Sequence, residues 1–365
     1  MRRELFILVA ALFPLVVLVN ACTSPSAAPT PTSAPKPSSA SAPAPAPSTA
    51  AKPTPITLVF SDQGNGMRSM LEPIVWWADE VSKRTGVPVK IDFHYGGTLA
   101  PAKEVPDGLR AGLFDMSWFS VSLDPAKMPL HEVSALPNSS GGPGDMAKAY
   151  MKVMNMPEAA DEYKKWNSVP LFAIGQPSHE IISRVPIKTA NDLKGKKIRV
   201  VGIQGKVLQA MGATPTQIPG PEMYEALARG TVDGVLTGFA YAWVEYKLHE
   251  AGKYGWIGGF GAHTNPVMMS LKKWNTLDPA VQKAMIEVAN ETPVQVGRSD
   301  RDTALGYLEE VLKAGVQITY ASKEDAALVQ KLTGPVQDGW AQGLEAKGLP
   351  AKKVLDVMRK SLSGN

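Results

Sequence analysis

ITLVFSDQGNGMRSMLEPIVWWADEVSKRTGVPVKIDF, residues Ile56–Phe93, decides the fold. Ile56-Thr57-Leu58-Val59-Phe60 is a short apolar run with the β-branched content of a strand. A polar loop follows, Asp62-Gln63-Gly64-Asn65-Gly66. From Met67 to Lys83, Leu71, Val75, Ala78 and Val81 recur near helical spacing, and Gly86 stops the helix. Val87 to Phe93 then reads as the next strand. Working outward, Gly96-Gly97 marks a turn, Lys103 to Gly112 a helix, and Leu113 to Val121 a third strand. The alternation resumes after Val169, with strands near Leu171–Ile174, Lys197–Val201, Val232–Thr237 and Tyr254–Ile257. Helices at Lys206–Met211, Pro221–Ala228 and Tyr241–His249 separate them. Strands alternating with helices argue for a parallel α/β sheet. In open sheets of this kind ligands bind beyond the carboxyl ends of the strands, which puts the loops Asp62–Asn65 and Trp118–Ser120 on the candidate list. Asp278 to Ala314 is expected to be mostly helical and bent at Pro293, which lacks a backbone donor. A strand at Val316–Ala321 and helices from Lys323 to Ser361 complete the body.

Upstream of this body the chemistry changes. Met1-Arg2-Arg3 is a short basic segment, and Leu5 to Val19 is nearly all apolar, interrupted by Pro14. At about 15 apolar residues this run is short for a membrane span, which needs about 20. It ends in Leu18-Val19-Asn20-Ala21-Cys22, which resembles a bacterial lipobox, so residues 1–21 are expected to be a lipoprotein signal peptide with lipid on Cys22. Thr23 to Pro55 holds ten of the chain's 31 prolines among Ala, Ser and Thr. Such a segment has too little apolar surface to fold, and residues 22–55 read as a lipidated extended tether. The expected location is the periplasm or cell surface, anchored to the membrane through that lipid.

Composition excludes several classes. Beyond Ala21 the chain carries 36 basic and 33 acidic residues, a net of +3, too small to imply nucleic acid. Cys22 is the only cysteine, so there is no disulfide framework and no cysteine metal cluster. The five histidines (94, 131, 179, 249, 263) lack HxxH or HExxH spacing, so the sequence gives no signal for a metal or other cofactor. There is no G-x-S-x-G elbow and no phosphate-binding GxxxxGK[ST] run. Binding, not catalysis, is the simpler expectation.

One residue resists a bland reading. In Lys194-Gly195-Lys196-Lys197-Ile198-Arg199-Val200 the lysines fit a solvated turn, but β-branched neighbours predict burial for Arg199, and a buried guanidinium needs an anion. The ordered landmarks around it resemble the solute-binding proteins of TRAP transporters, of the C4-dicarboxylate-binding (DctP) type. These are Tyr95–Leu99, Gly108–Met116, Met128–Val133 with Leu136-Pro137, Val185–Val200, Met211–Pro215, Glu222–Leu227 with Gly230–Gly234, and Lys273–Leu277. The resemblance covers nearly all of Ile56 to Leu362. It implies a two-lobed type II-like binding fold with an interlobe cleft and a long bent connecting helix. In the family the arginine of the K-I-R-V strand pairs with the ligand carboxylate, which implies that role for Arg199. A guanidinium suits it, because its planar fork meets a carboxylate at two points.

Two positions depart from the pattern that the resemblance implies. Where a second cleft arginine is common, this chain has His179, able to donate to an anion, above all if protonated; where an asparagine is usual, it has Thr237. Both changes weaken the case for a second carboxylate on the ligand. Aromatic residues gather at the expected cleft: Trp118 and Phe119, then Phe239, Tyr241 and Trp243. They favour an apolar or aromatic monocarboxylate, or a 2-oxo acid. The expected ligand contacts are therefore Arg199, His179, Thr237, Trp118, Phe119, Ser120, Gly202, Asn65, Phe239 and Tyr241. Lobe I is expected at 53–176 plus 265–304 and lobe II at 177–264 plus 305–365. The implied partners are a small organic acid and two TRAP membrane subunits, a large permease and a small membrane protein, driven by an ion gradient. A ligand-presenting sensor lipoprotein and an enzyme on a binding-protein scaffold are the alternatives, since fold does not fix function.

Overall fold

The computed structural model describes residues 54–137 and 141–363. Cys22 and the tether as far as Pro53 lie outside the described residues. The strands are β1 (Ile56–Ser61), β2 (Val89–His94), β3 (Met116–Trp118), β4 (Ser168–Gly175), β5 (His179–Ser183), β6 (Lys197–Arg199), β7 (Thr214–Thr216), β8 (Gly234–Gly238), β9 (Tyr254–Ile257), β10 (Thr264–Ser270) and β11 (Gln317–Tyr320). They form two sheets with helices packed on them, one ordered β2-β1-β3-β10-β4 and the other β11-β9-β5-β8-β6-β7. Each sheet organises one lobe.

The stretch Ile56–Phe93 folds as one βαβ unit, β1 pairing parallel with β2 so that Phe60 sits opposite Phe93. Its helix, Arg68–Thr85, buries Met70, Leu71, Ile74, Trp77, Ala78 and Val81 against the sheet, while Val75 faces outward at 43% exposure. Gly86, at φ 70°, ends the helix in the left-handed conformation that costs glycine least. The all-parallel expectation needs correction. β10 runs antiparallel to both β3 and β4, and β5 antiparallel to both β8 and β9. The third strand is also shorter than its apolar run: Leu113 is exposed, and a 3₁₀ turn begins at Val121.

Period-2 alternation distributes the second sheet's residues between two cores. Ile181 and Leu236 belong to one, Ile182 and Val235 to the other. Each such fully buried aliphatic side chain contributes about 1.5–3 kcal/mol relative to exposure.

The chain passes between the sheets at four places. Gln176–Ser178 links β4 to β5, and Gly258–His263 links β9 to β10. These two crossings are tied together: Gln176 N–H donates to the His263 carbonyl (2.9 Å) and His179 N–H to that of Gly261 (2.7 Å). The buried Glu180 carboxylate accepts from the Gly258 and Gly259 N–H groups (2.7 and 3.0 Å) and from the Ser178 hydroxyl (2.6 Å). The third crossing is the helix Thr292–Lys313, whose Val296 lies in the first sheet's core and whose Val311 lies in the second's. Pro293 does not bend it from within. It stands in the first turn, where its missing N–H is no loss, after a separate helix Pro279–Ala289. The fourth crossing is the helix Lys323–Glu345, whose Val329 lies in a core of the second sheet and whose Trp340 and Leu344 lie in that of the first. The carboxyl-terminal helix Ala351–Ser363, grouped by sequence with lobe II, buries Val354, Leu355 and Met358 in the first sheet's core.

Candidate functional site

Antiparallel insertion explains which ends meet. β1, β3 and β4 point their carboxyl ends toward the second sheet, while β10 enters reversed and brings its amino end there. The same holds across the cleft, where β6 and β8 end at the cavity and β5 starts there. Thus Arg199 (end of β6), Thr237 (on β8) and His179 (start of β5) line one cavity with Gln63 (after β1), Trp118 and Ser120 (on and after β3), and His263 and Asn265 (at β10). The cavity holds about 90 Å³. At about 10–15 Å³ per water-sized group, it has room for roughly six to nine such groups.

Arg199 is 4% exposed. Its Nε–H donates to the Ile218 carbonyl at 2.8 Å, and Nη1 makes a long 3.5 Å approach to that of Leu236. Among the described residues no carboxylate lies within ion-pair distance of it. Burial lowers its pKa to about 10, so at neutral pH it remains charged, uncompensated, with donors unused in the cavity wall.

His179 is differently placed. The Gln204 amide nitrogen faces the carbonyls of Phe260 and Gly261 (3.3 and 3.4 Å), which turns its oxygen to His179 Nδ1 at 2.9 Å. The Gln176 amide meets Nε2 at 3.1 Å. Burial, with the Arg199 charge adding to it, lowers the His179 pKa to about 4. Between two glutamine side chains and beside a cation, burial favours the neutral ring over the imidazolium, so a donor bond from His179 to an anion would come from one ring N–H. His263 packs against it, ring centroids 4.2 Å apart, and burial holds its pKa well below the usual imidazole value.

Asp62 shapes the opposite wall without lining it. Its Oδ1 accepts from Trp118 Nε1 at 2.7 Å and its Oδ2 from the Gly66 N–H at 2.9 Å, fixing both the indole and the loop. Gln63, in that loop, donates to Ser61 Oγ at 3.1 Å and leaves its Oε1 buried without a partner; His263 Nε2 is in the same position. Tyr241 reaches the cavity from a strained turn. Ala240 adopts φ 59°, ψ −61°, and the Tyr241 N–H closes a three-residue turn onto the Phe239 carbonyl at 2.8 Å. Gly238 leaves room for the ring, since a Cβ there would lie 2.0 Å from Tyr241 Cε1.

Of the expected contacts, Arg199, His179, Thr237, Trp118, Ser120 and Tyr241 line the cavity. Four do not. Asn65 is exposed on the loop whose inward residue is Gln63. Phe119 is wholly buried in the first core, its N–H donating to the Pro266 carbonyl. Phe239 packs edge-on to the buried Trp243, centroids 5.1 Å apart. Gly202, at φ 69°, lies where the lobes touch: a Cβ there would come within 2.6 Å of Ser122 Cβ. Sequence reasoning missed His263, Asn265 and Tyr246, and reached Gln63 only as part of the loop Asp62–Asn65. Among the described residues no group of three or more His, Cys, Asp or Glu is placed to hold a metal ion.

Comparison with known proteins gives a consistent picture. Residues 66–342 match the family model of bacterial extracellular solute-binding protein, family 7. A solute-binding protein of Sulfitobacter sp. is 28% identical, the match covering 57% of this chain and 69% of that protein. A monocarboxylate 2-oxoacid-binding periplasmic protein of Nostoc sp. is 24% identical, covering 72% and 77%. Among solved structures, a TRAP solute-binding protein from Rhodoferax ferrireducens, in complex with copurified benzoate, superposes with a TM-score of 0.77. It is 22% identical, and the match covers 85% of this chain and 98% of that one. An extracytoplasmic solute receptor of Bordetella pertussis binding pyroglutamic acid gives 0.73 at 20% identity, covering 83% and 99%. These relatives are binding proteins.

Proposed function

The chain belongs to bacterial extracellular solute-binding protein family 7, the TRAP solute-binding proteins, and from that premise we propose that it captures one small organic acid bearing a single carboxylate. The observation that carries the reading is Arg199: a buried, charged guanidinium in a cavity wall with no protein carboxylate to meet it. Such a charge is costly until an anion arrives, and a carboxylate satisfies both its charge and its paired donors. The rest of the lining supplies no second fixed cation, because His179 and His263 are held neutral by burial. A second carboxylate would be stranded. Trp118, Tyr241 and Met67 provide apolar surface for the acid's body.

The crossings at 176–178 and 258–263 and the helix Thr292–Lys313 serve as the hinge about which the lobes close. Once closed, the protein presents its acid to a large permease and a small membrane subunit, and a lipid on Cys22 holds it at the membrane through the proline-rich tether. Thermal-shift and calorimetric titration with benzoate, mandelate and pyroglutamate test the ligand class. At least one of these acids should raise the melting temperature, whereas benzamide and mandelamide, which match in shape but lack charge, should not. Equal stabilisation by acid and amide would overturn the assignment of a carboxylate.

A further inference from the structure

We propose that Glu245 is a positioning residue that latches the two lobes shut, by capping from one lobe a helix that belongs to the other; this rests on the solute-capture reading above. The helix Arg68–Thr85 packs on the first sheet and starts without a cap. Met67 makes no side-chain hydrogen bond to it, and its first turn contains no acidic residue. The Met70 N–H turns back to the Met67 carbonyl at 3.0 Å, but the first N–H, that of Arg68, finds no partner within its own lobe. The Arg68 N–H donates instead to Glu245 Oε1 at 3.1 Å, a residue from the short helix Tyr241–Glu245 that follows β8 of the second sheet. A carboxylate at a helix amino terminus is favoured by the aligned peptide dipoles as well as by the hydrogen bond.

Two further observations support a latch over an incidental surface contact. The Tyr307 hydroxyl, on the crossing helix Thr292–Lys313, donates to the same Glu245 oxygen. Glu245 is partly buried, its Oε2 is enclosed without a partner, and burial pushes its pKa up. That is a cost the closed arrangement offsets only through these donors. The contact also abuts the ligand. Met67, next to the capped turn, lines the cavity on one side, and Tyr241 and Tyr246, flanking Glu245, line it on the other. Separating the lobes withdraws Glu245 from Arg68, and an acid filling the cavity holds the two walls in register. The latch thus acts on the closed state after the ligand has entered, which places its effect on release.

The test uses the full mature chain in a Cys22→Ser background, which removes the only cysteine. Spin labels at Lys103→Cys and Glu222→Cys, both exposed and adjacent to the cavity-lining Ala102 and Pro221, report lobe separation by pulsed dipolar spectroscopy. With benzoate as probe, Glu245→Ala should lower the closed-to-open ratio about tenfold, the scale of one charge-assisted hydrogen bond. Stopped-flow dissociation should quicken by a similar factor while association stays unchanged. The ligand-free melting temperature should stay close to the parent's. Glu245→Gln keeps an acceptor oxygen without the charge and should recover part of the closed population. Identical distance distributions in parent and Glu245→Ala would overturn the latch, as would a loss of ligand-free stability with the closed fraction unchanged. If benzoate leaves the parent's distances unmoved, benzoate is not a ligand, and the ligand-free distributions decide instead. There the parent must hold more of the short-distance population than Glu245→Ala, and equality overturns the proposal.

Discussion

Replacing Arg199 should separate binding from stability, moving them in opposite directions. A hydrogen bond to a charged group contributes about 1.5–3 kcal/mol. Stranding the ligand carboxylate in a desolvated cavity raises the loss to about 3–5 kcal/mol. Since about 1.4 kcal/mol is tenfold, Arg199→Met should weaken acid binding by roughly 10²–10³-fold or more. Arg199→Lys should recover only part of this, because charge returns without the two-point fork. The ligand-free protein should respond the other way. Burial lowers the Arg199 pKa from 12.5 to about 10. At about 1.36 kcal/mol per pH unit, the folded state carries a cost on the order of 3 kcal/mol for holding the charge. The sign follows from linkage: a cation with a depressed folded pKa penalises the fold at every pH below that value, so the penalty is present in full at neutrality. Methionine keeps the stem's apolar volume and removes the charge, though it abandons the hydrogen bond to Ile218. Ligand-free Arg199→Met should therefore melt at or a few degrees above the parent. Calorimetric titration with the best acid ligand, paired with scanning calorimetry of the empty protein, measures both. Parent-like affinity in Arg199→Met would refute the reasoning, and a large fall in ligand-free melting temperature would refute the claim of an uncompensated charge.

His179→Ala should cost about tenfold in affinity, since it removes a neutral wall and not an ion. In the parent, acid binding should be flat between pH 5 and 8, because the ring titrates near 4. The stability consequence has a defined window: unfolded His179 takes up its proton near 6.5 and the folded ring only near 4. Stability is thus lost as pH falls between those values, and His179→Gln should soften that decline in a melting series. Gly238→Ala places a Cβ 2.0 Å from the Tyr241 ring, so it should displace the ring and weaken binding at least tenfold while the far-ultraviolet spectrum is retained. Cys22→Ser should abolish palmitate labelling and release the protein from membranes; normal labelling of the variant would remove the anchor from the account.

Much of this was legible because local pattern and long-range order agree. β1, the helix after it and β2 follow from apolar spacing and Gly86, and Tyr254–Ile257 appears with the bounds its composition predicts. Arg199 stood out because a strand of buried type contained a cation. What escaped was two strands and with them their direction. β5 and β10 were not read as strands, apolar periodicity is in any case the same for parallel and antiparallel strands, and the rule that sites lie at carboxyl ends passed over residues at their amino ends. His263 and Asn265 were hidden in this way. Phe119 escaped for a second reason: neighbours along a strand alternate between faces, so Trp118 turns to the cavity and Phe119 to the core. Asn65 and Phe239 lie beyond the ends of β1 and β8, where no alternation fixes which residue turns inward. Gln63 and Trp118 face the cavity, while Asn65 and Phe119 do not. The His179 ring was found, but its charge state depends on Gln204 and Arg199, partners that only the folded sheet brings near.

The central claim is that one carboxylate completes one buried arginine, and the identity of the native ligand tests it most directly. Protein purified under non-denaturing conditions and examined by native mass spectrometry, then by mass spectrometry of the small molecule freed on denaturation, should yield one unaltered small acid per chain carrying a single carboxylate. Arg199→Met prepared in the same way should yield none. Recovery of a neutral sugar, a cation or a dicarboxylate, or of the same molecule from the arginine variant, would contradict the account.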